Sequence, residues 1–235
     1  MHFLLSGSRF HLAPLFLVPC SVPSPTTLIA TLLLLALGSH ELLAAVGPWD
    51  ATAFGDPFLS GFRHILPDGL DHLAFLVGLF FLARSLPALL GQVTLFTLAH
   101  SLTLGLVVLA GLAVEPHWVE IAVGLSIAAL GLEGLLPRRA WLERLRWALV
   151  PAFGLIHGLA FAHNLVREEA LRRSPAAALL GFNLGVELGQ LVVIGALVLV
   201  FSPCWRRTWY TARLARPALA LIALSGLAWA VQRAA

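Results

Sequence analysis

From Leu89 to Ala113 the chain reads LLGQVTLFTLAHSLTLGLVVLAGLA, with no Asp, Glu, Lys or Arg along its length. A bilayer core about 30 Å thick is crossed by roughly 20 mostly apolar helical residues, so this stretch reads as a transmembrane helix. Working outward from it, five more stretches qualify: Pro67 to Leu86 before it, then Trp118 to Leu136, Arg146 to Leu165, Ala177 to Phe201 and Leu214 to Gln232. The breaks carry helix-boundary chemistry at Pro87, Glu115-Pro116-His117, Pro137-Arg138-Arg139, Ser174-Pro175 and Ser202-Pro203. Composition agrees, since 59% of the 235 residues are hydrophobic and 11% are charged. A soluble domain carries about 25% charged residues, and one with this composition would expose far more apolar surface than water tolerates. The expected fold is therefore all-α, a polytopic helical bundle of six core spans.

The domain plan has three parts. Residues 67–235 form the six-helix membrane domain and residues 47–66 an outer segment before it. Residues 1–46 hold a short leucine-rich core, Leu28 to Leu37, followed by small residues at Ala44-Ala45. That segment reads either as a signal peptide or as an additional N-terminal transmembrane helix. Cys20 and Cys204 lie far apart and share no metal-type spacing, so thiol chemistry is not expected. The net charge of +3 is no nucleic-acid signal, because there is no lysine and the arginines lie in short loops. Counting them orients the core. Arg84, Arg138, Arg139, Arg144, Arg146, Arg206, Arg207, Arg213 and Arg216 gather on one side, against Arg63, Arg167, Arg172, Arg173 and Arg233 on the other. The richer side is expected to be cytoplasmic, which puts both ends of the six-span core outside.

Ionisable residues inside the spans cost roughly 2.5–3.5 kcal/mol each at the bilayer centre, and they mark functional sites. The first span opens with His64, then Pro67-Asp68-Gly69-Leu70-Asp71-His72; the second carries Thr94, Thr97, His100, Ser101 and Thr103. The third has Glu120, Ser126 and Glu133, the fourth His157, His163 and Asn164, and the fifth Asn183, Glu187 and Gln190. Helical spacing gives the second span a polar stripe of Thr97, His100 and Ser101, and the fifth a stripe of Asn183, Glu187 and Gln190. The other side of the fifth span presents Gly181, Gly185 and Gly189, a repeat that lets a neighbouring helix come close. At about 1.5 Å per residue, His100, His157 and Glu187 fall near the midplane, while Asp71, His72, His64, Glu120 and His163 fall nearer the outer side. A polar funnel leading to a midplane cluster follows. Imidazoles and carboxylates are ligand types for nickel, zinc and similar divalent ions. The expected ligands are His64, Asp71, His72, His100, His157 and Glu187, supported by Asp68, Thr97, Ser101, Asn183, Gln190, Glu120 and His163. Asp71 has a second role open to it, as the acceptor for a neighbouring imidazole N–H. Glu133, at the inner end of its span, is expected to pair with Arg138 or Arg139. His2, His11 and His40 are set aside with the N-terminal segment, and His117 as a solvated loop residue.

Four motifs carry a family resemblance. They are Gly61-Phe-Arg-His64 with Pro67-Asp-Gly-Leu-Asp71-His72, Phe96-Thr97-Leu-Ala-His100-Ser101, Phe153-Gly-Leu-Ile-His157-Gly158 and Gly181-Phe-Asn183-Leu-Gly-Val-Glu187-Leu-Gly-Gln190. In this order, from about Gly61 to about Gln190, they resemble the HupE/UreJ family of membrane proteins. The resemblance implies a bacterial inner-membrane protein, with nickel uptake for hydrogenase or urease maturation as the family's usual assignment. The chain departs from the related nickel permeases after His157-Gly158, where Leu159-Ala160-Phe161 follows and no second His-Gly-x-Glu appears. In this it is similar to a divergent second branch.

Two active roles stay open. The preferred one is a permease for a divalent transition-metal cation, nickel first, which is then substrate rather than cofactor. The alternative is an intramembrane hydrolase that holds zinc and activates water, with Ser101 and Asp71 assisting. A structural or accessory subunit is the remaining reading. The expected partners are the lipid bilayer and a metal ion, not nucleic acid; a homo-oligomer or accessory subunits stay open.

Overall fold

In the computed structural model, which describes residues 50–83, 85–112, 115–137, 139–165, 169–205 and 207–235, the chain folds into helices joined by short turns. In order these are α1 (Gly55–Ile65), α2 (Leu70–Leu82), α3 (Leu86–Ala110), α4 (Pro116–Leu135), α5 (Ala140–Leu165), α6 (Glu169–Arg173), α7 (Pro175–Phe201) and α8 (Arg216–Ala234). No strand forms among the described residues. The 1–46 segment and the side chains of His163 and Asn164 lie outside them. Five stretches are long and apolar enough to cross a membrane: Leu86–Ala110, Pro116–Leu135, Ala140–Ala162, Pro175–Cys204 and Thr211–Ala234. Together α1 and α2, joined at a 62° bend, are long and apolar enough to form a sixth, broken span or a re-entrant loop.

The expected boundary prolines open helices rather than merely closing them. Pro87, Pro116 and Pro175 each sit in a first turn, where the missing N–H has no intrahelical partner to lose. Ser85 caps α3 by accepting the Ala88 N–H at 3.3 Å. At the other end α3 stops at Gly111, whose φ of 65° is the left-handed conformation that glycine adopts without strain. The fourth span starts earlier than its apolar run suggests, at Ala140. Arg146, one turn and a half inside, forms a bidentate bond to Glu133 at 2.7–3.2 Å. Of the two arginines expected beside Glu133, Arg138 lies outside the described residues; the described partner is Arg146 rather than Arg139, because the helical extension of α5 carries Arg146 back alongside the end of α4.

Part of the outer segment 47–66 is itself the helix α1, and α1 is the neighbour that the glycine repeat of α7 receives. A Cβ on Gly181 would meet the Phe54 carbonyl, one on Gly185 the Phe58 carbonyl, and one on Gly189 the Ile65 side chain; Gly61 of α1 abuts the Phe182 carbonyl in return. Two further pairs form in the same way. Gly154 and Gly158 of α5 sit against the Phe96 and His100 carbonyls of α3, and Gly124 and Gly131 of α4 against Ala230 and Ala223 of α8. Close backbone approach of this kind is how helices associate in lipid, where no hydrophobic force draws them together. The short helix α2 runs among the pairs and touches α3, α4, α7 and α8. Its Phe75, Leu76 and Leu79 to Leu82 are all buried. The outer surface is apolar, with Leu199 80%, Val231 70% and Leu221 66% exposed. Such a surface suits acyl chains and not water.

Candidate metal site

The bend between α1 and α2 builds the site. His64 lies in the last turn of α1 and His72 in the first turn of α2. Between them the chain passes a cis Leu66–Pro67 peptide, and Gly69 is pressed so close to the His64 carbonyl that no side chain fits there. Asp68 N–H returns to the Arg63 carbonyl at 3.0 Å, closing the turn. The two imidazoles are thereby folded onto each other, with ring centres 4.4 Å apart. His100, midway along α3, completes a trio: one ligand nitrogen from each of His64, His72 and His100 lies within 4.8 Å of the others. His157 stands next to it, its ring 4.8 Å from that of His72. Depth counted along straight helices had separated His64 from His100. The bend removes that separation.

Hydrogen bonds decide which nitrogens carry lone pairs. His72 Nδ1 lies 3.1 Å from Asp71 Oδ1, and the His72 backbone N–H donates to the same oxygen at 2.9 Å. A carboxylate only accepts, so Nδ1 carries a proton, and of the two neutral tautomers the one bonded this way keeps its lone pair on Nε2. His157 Nε2 lies 2.9 Å from Ser126 Oγ, which donates its own proton to the Val123 carbonyl at 2.7 Å. The imidazole is therefore the donor, and its Nδ1 keeps the lone pair. Among the described residues, His64 Nε2, His72 Nε2, both nitrogens of His100 and His157 Nδ1 are buried without a hydrogen-bond partner. Each such atom costs about 1–3 kcal/mol. His72, His100 and His157 are 4%, 1% and 0% exposed, so water does not relieve them. Tetrahedral ligation at about 2.1 Å sets nitrogens roughly 3.4 Å apart, closer than the 4.8 Å that bounds the trio without an ion. The chemistry open to such a cluster is capture of a borderline divalent ion by neutral imidazoles.

The remaining expected residues divide. Asp71 does not join the trio; one oxygen is taken by His72 and the other, Oδ2, lies 3.7 Å from Arg233 Nη2. Glu187 is half-buried beside Thr97 and is likewise not among the grouped ligands. The two polar stripes meet as a ladder: Ser101 donates to Asn183 Oδ1 at 2.6 Å, and Thr97 to Gln190 Oε1 at 2.8 Å. Asp68 lines an open cleft of about 400 Å³ with Asp56, Ser60, Arg63, His64 and Phe161, so His64 is the member of the cluster that borders it. Glu120 is exposed, and its part is played by the backbone carbonyl, which accepts from Arg233 Nη1 at 3.0 Å. Beyond His72, a gap lined by Phe75, Leu76, Leu79, Val93, Phe96 and Gln190 has no room for a water molecule.

Sequence reasoning missed the direct role of Ser126, the aromatic cover of His64 and the placement of Arg233. Phe161 lies 3.9 Å from the His64 ring, centre to centre, and stacks on Phe182 at 4.8 Å. The spacing of Gly154 and Gly158 on either side of His157 was a usable signal that α5 presses this face onto α3.

No curated protein and no solved structure matches the chain. A family model described as HupE / UreJ protein matches residues 43–233, which is most of the sequence and includes every residue of the cluster. The chain therefore belongs to the HupE/UreJ family.

Proposed function

We propose that the protein is a membrane permease for a divalent transition-metal cation, nickel first, with His64, His72, His100 and His157 as the residues that take the ion from water. The observation that carries this reading is the convergence of buried, unpartnered imidazole nitrogens behind His64, which borders an open cleft. Magnesium and calcium prefer hard oxygen ligands, whereas an imidazole set suits nickel and zinc. Asp71 holds the His72 ring by its Nδ1–H, which fixes the tautomer and strengthens Nε2 as a donor. The arginine count favours an orientation with the cleft on the outer, non-cytoplasmic face of the membrane. An ion would then enter past Asp56 and Asp68, exchange its water for nitrogen at the trio, and pass His157. Gln190 and Glu187 of α7 lie further along.

The test has two stages. Purified protein should bind about one equivalent of Ni²⁺ or Zn²⁺, as expected of a single converging ligand set. Liposomes carrying the protein should then show Ni²⁺ flux that His72→Ala and His157→Ala abolish. Absence of binding overturns the proposal. Binding without flux, accompanied by lipid turnover, would select the zinc hydrolase instead.

A further inference from the structure

Arg233 stands at the end of α8, far in sequence from the histidines, yet it touches the site. Its position follows from backbone packing. Gly124 of α4 and Gly226 of α8 let the two helices meet main chain to main chain, with Gly124 against Ala230. Arg233 is one turn beyond Ala230, and Glu120 is one turn before Gly124, so the arginine lies across the start of α4. There Nη1 donates to the Glu120 carbonyl at 3.0 Å, and Nη2 faces Asp71 Oδ2 at 3.7 Å. The Asp71 carboxylate is thus engaged at both ends, Oδ1 by His72 and Oδ2 by Arg233.

We infer that Arg233 is a positioning residue that keeps Asp71 bonded to His72 and off the transported ion, so that the site offers nitrogen alone. The inference rests on the metal-binding reading above. A free carboxylate next to a divalent ion is a competitive ligand, and it favours harder ions such as Mn²⁺ over what imidazoles alone accept. With Arg233 in place the second oxygen is drawn toward the guanidinium. With Arg233 removed, nothing described on that side holds it, and a rotation about the Asp71 side chain turns it to the cluster. The positive charge of Arg233 also repels any cation, but that contribution is the same for all divalent ions and cancels in their ratio. Selectivity therefore isolates the ligand exchange from simple electrostatics.

The experiment measures Ni²⁺ and Mn²⁺ affinities of the full-length protein in detergent by competition with a chromophoric chelator. Arg233→Gln is expected to lower the preference for Ni²⁺ over Mn²⁺ by about tenfold, and Arg233→Lys, which keeps a cation near Asp71, to retain most of it. In an Asp71→Asn background Arg233→Gln should change the ratio no further, because the group it restrains is already gone. A metal-binding Arg233→Gln protein with the wild-type ratio overturns the inference, as does a full effect in the Asp71→Asn background. If the wild-type protein binds neither ion, the permease reading has failed, an outcome separate from either of these.

Discussion

At the level of single residues, the cluster is a question of which nitrogen faces where. Ser126 settles it for His157 by accepting from Nε2 while donating to the Val123 carbonyl. Ser126→Ala removes the acceptor and frees the ring to adopt the other tautomer. Loss of such an orienting partner typically costs 10–100-fold in metal affinity, and a chelator titration of the variant should show a fall in that range. His100 makes the opposite point. Both its nitrogens are buried without a partner, so replacing it by an apolar residue of similar volume should relieve the metal-free fold. His100→Leu is expected to raise stability by about 1–3 kcal/mol while weakening ion binding strongly, which thermal melts and titrations in parallel would show. The imidazoles themselves were legible in the sequence, because hydrocarbon does not tolerate them idly. Of their partners, Asp71 was legible as an imidazole acceptor, and the others were not. Ser126 and Arg233 reach the site only through the rotational setting of α4 and α8, and a helical face computed for one segment says nothing about its angle to the next.

Helices show a similar division. The long apolar runs announced five spans and a sixth at Pro67 to Leu86, which the structure reduces to α2, Leu70–Leu82, one half of the bent pair. The half missed was α1, since Gly55 to Ile65 is short and carries Asp56, Pro57, Arg63 and His64, well under the length that marks a crossing. Its partner was nevertheless written in α7 as Gly181, Gly185 and Gly189. Those positions differ sharply from Gly195 on the same helix, where an added Cβ meets nothing within 4 Å. Gly195→Ala should therefore stabilise the protein by up to about 1 kcal/mol through helix propensity. Gly185→Ala drives a methyl group onto the Phe58 carbonyl and should destabilise it by about 1–3 kcal/mol, as overpacking does. Unfolding of both variants in the same detergent tests the contrast, and only Gly185→Ala should also lower metal affinity, through displacement of His64.

For the molecule as a whole, orientation is the property that the arginines predict and the helices alone leave undetermined. Cys204 lies in the turn after α7, at the arginine-rich end, and is a free thiol. With Cys20→Ser as background, a membrane-impermeant maleimide should leave Cys204 unlabelled in intact cells and label it once the membrane is opened. Labelling in intact cells would reverse the assignment and place the cleft on the cytoplasmic side. A bundle of this kind could be recognised from hydropathy; how it assembles from three glycine-locked pairs around α2 could not, because close packing depends on which glycines face each other across different segments.

The gap below His72, too narrow for water, has a consequence for proton leak. A file of imidazoles a few ångströms apart conducts hydrogen ions whenever water links it to both sides, and such a path would let protons leak through the bundle. Phe75, Leu76, Leu79, Val93 and Phe96 leave no space for the connecting water. The apolar lining beyond His72 therefore interrupts such a file on that side.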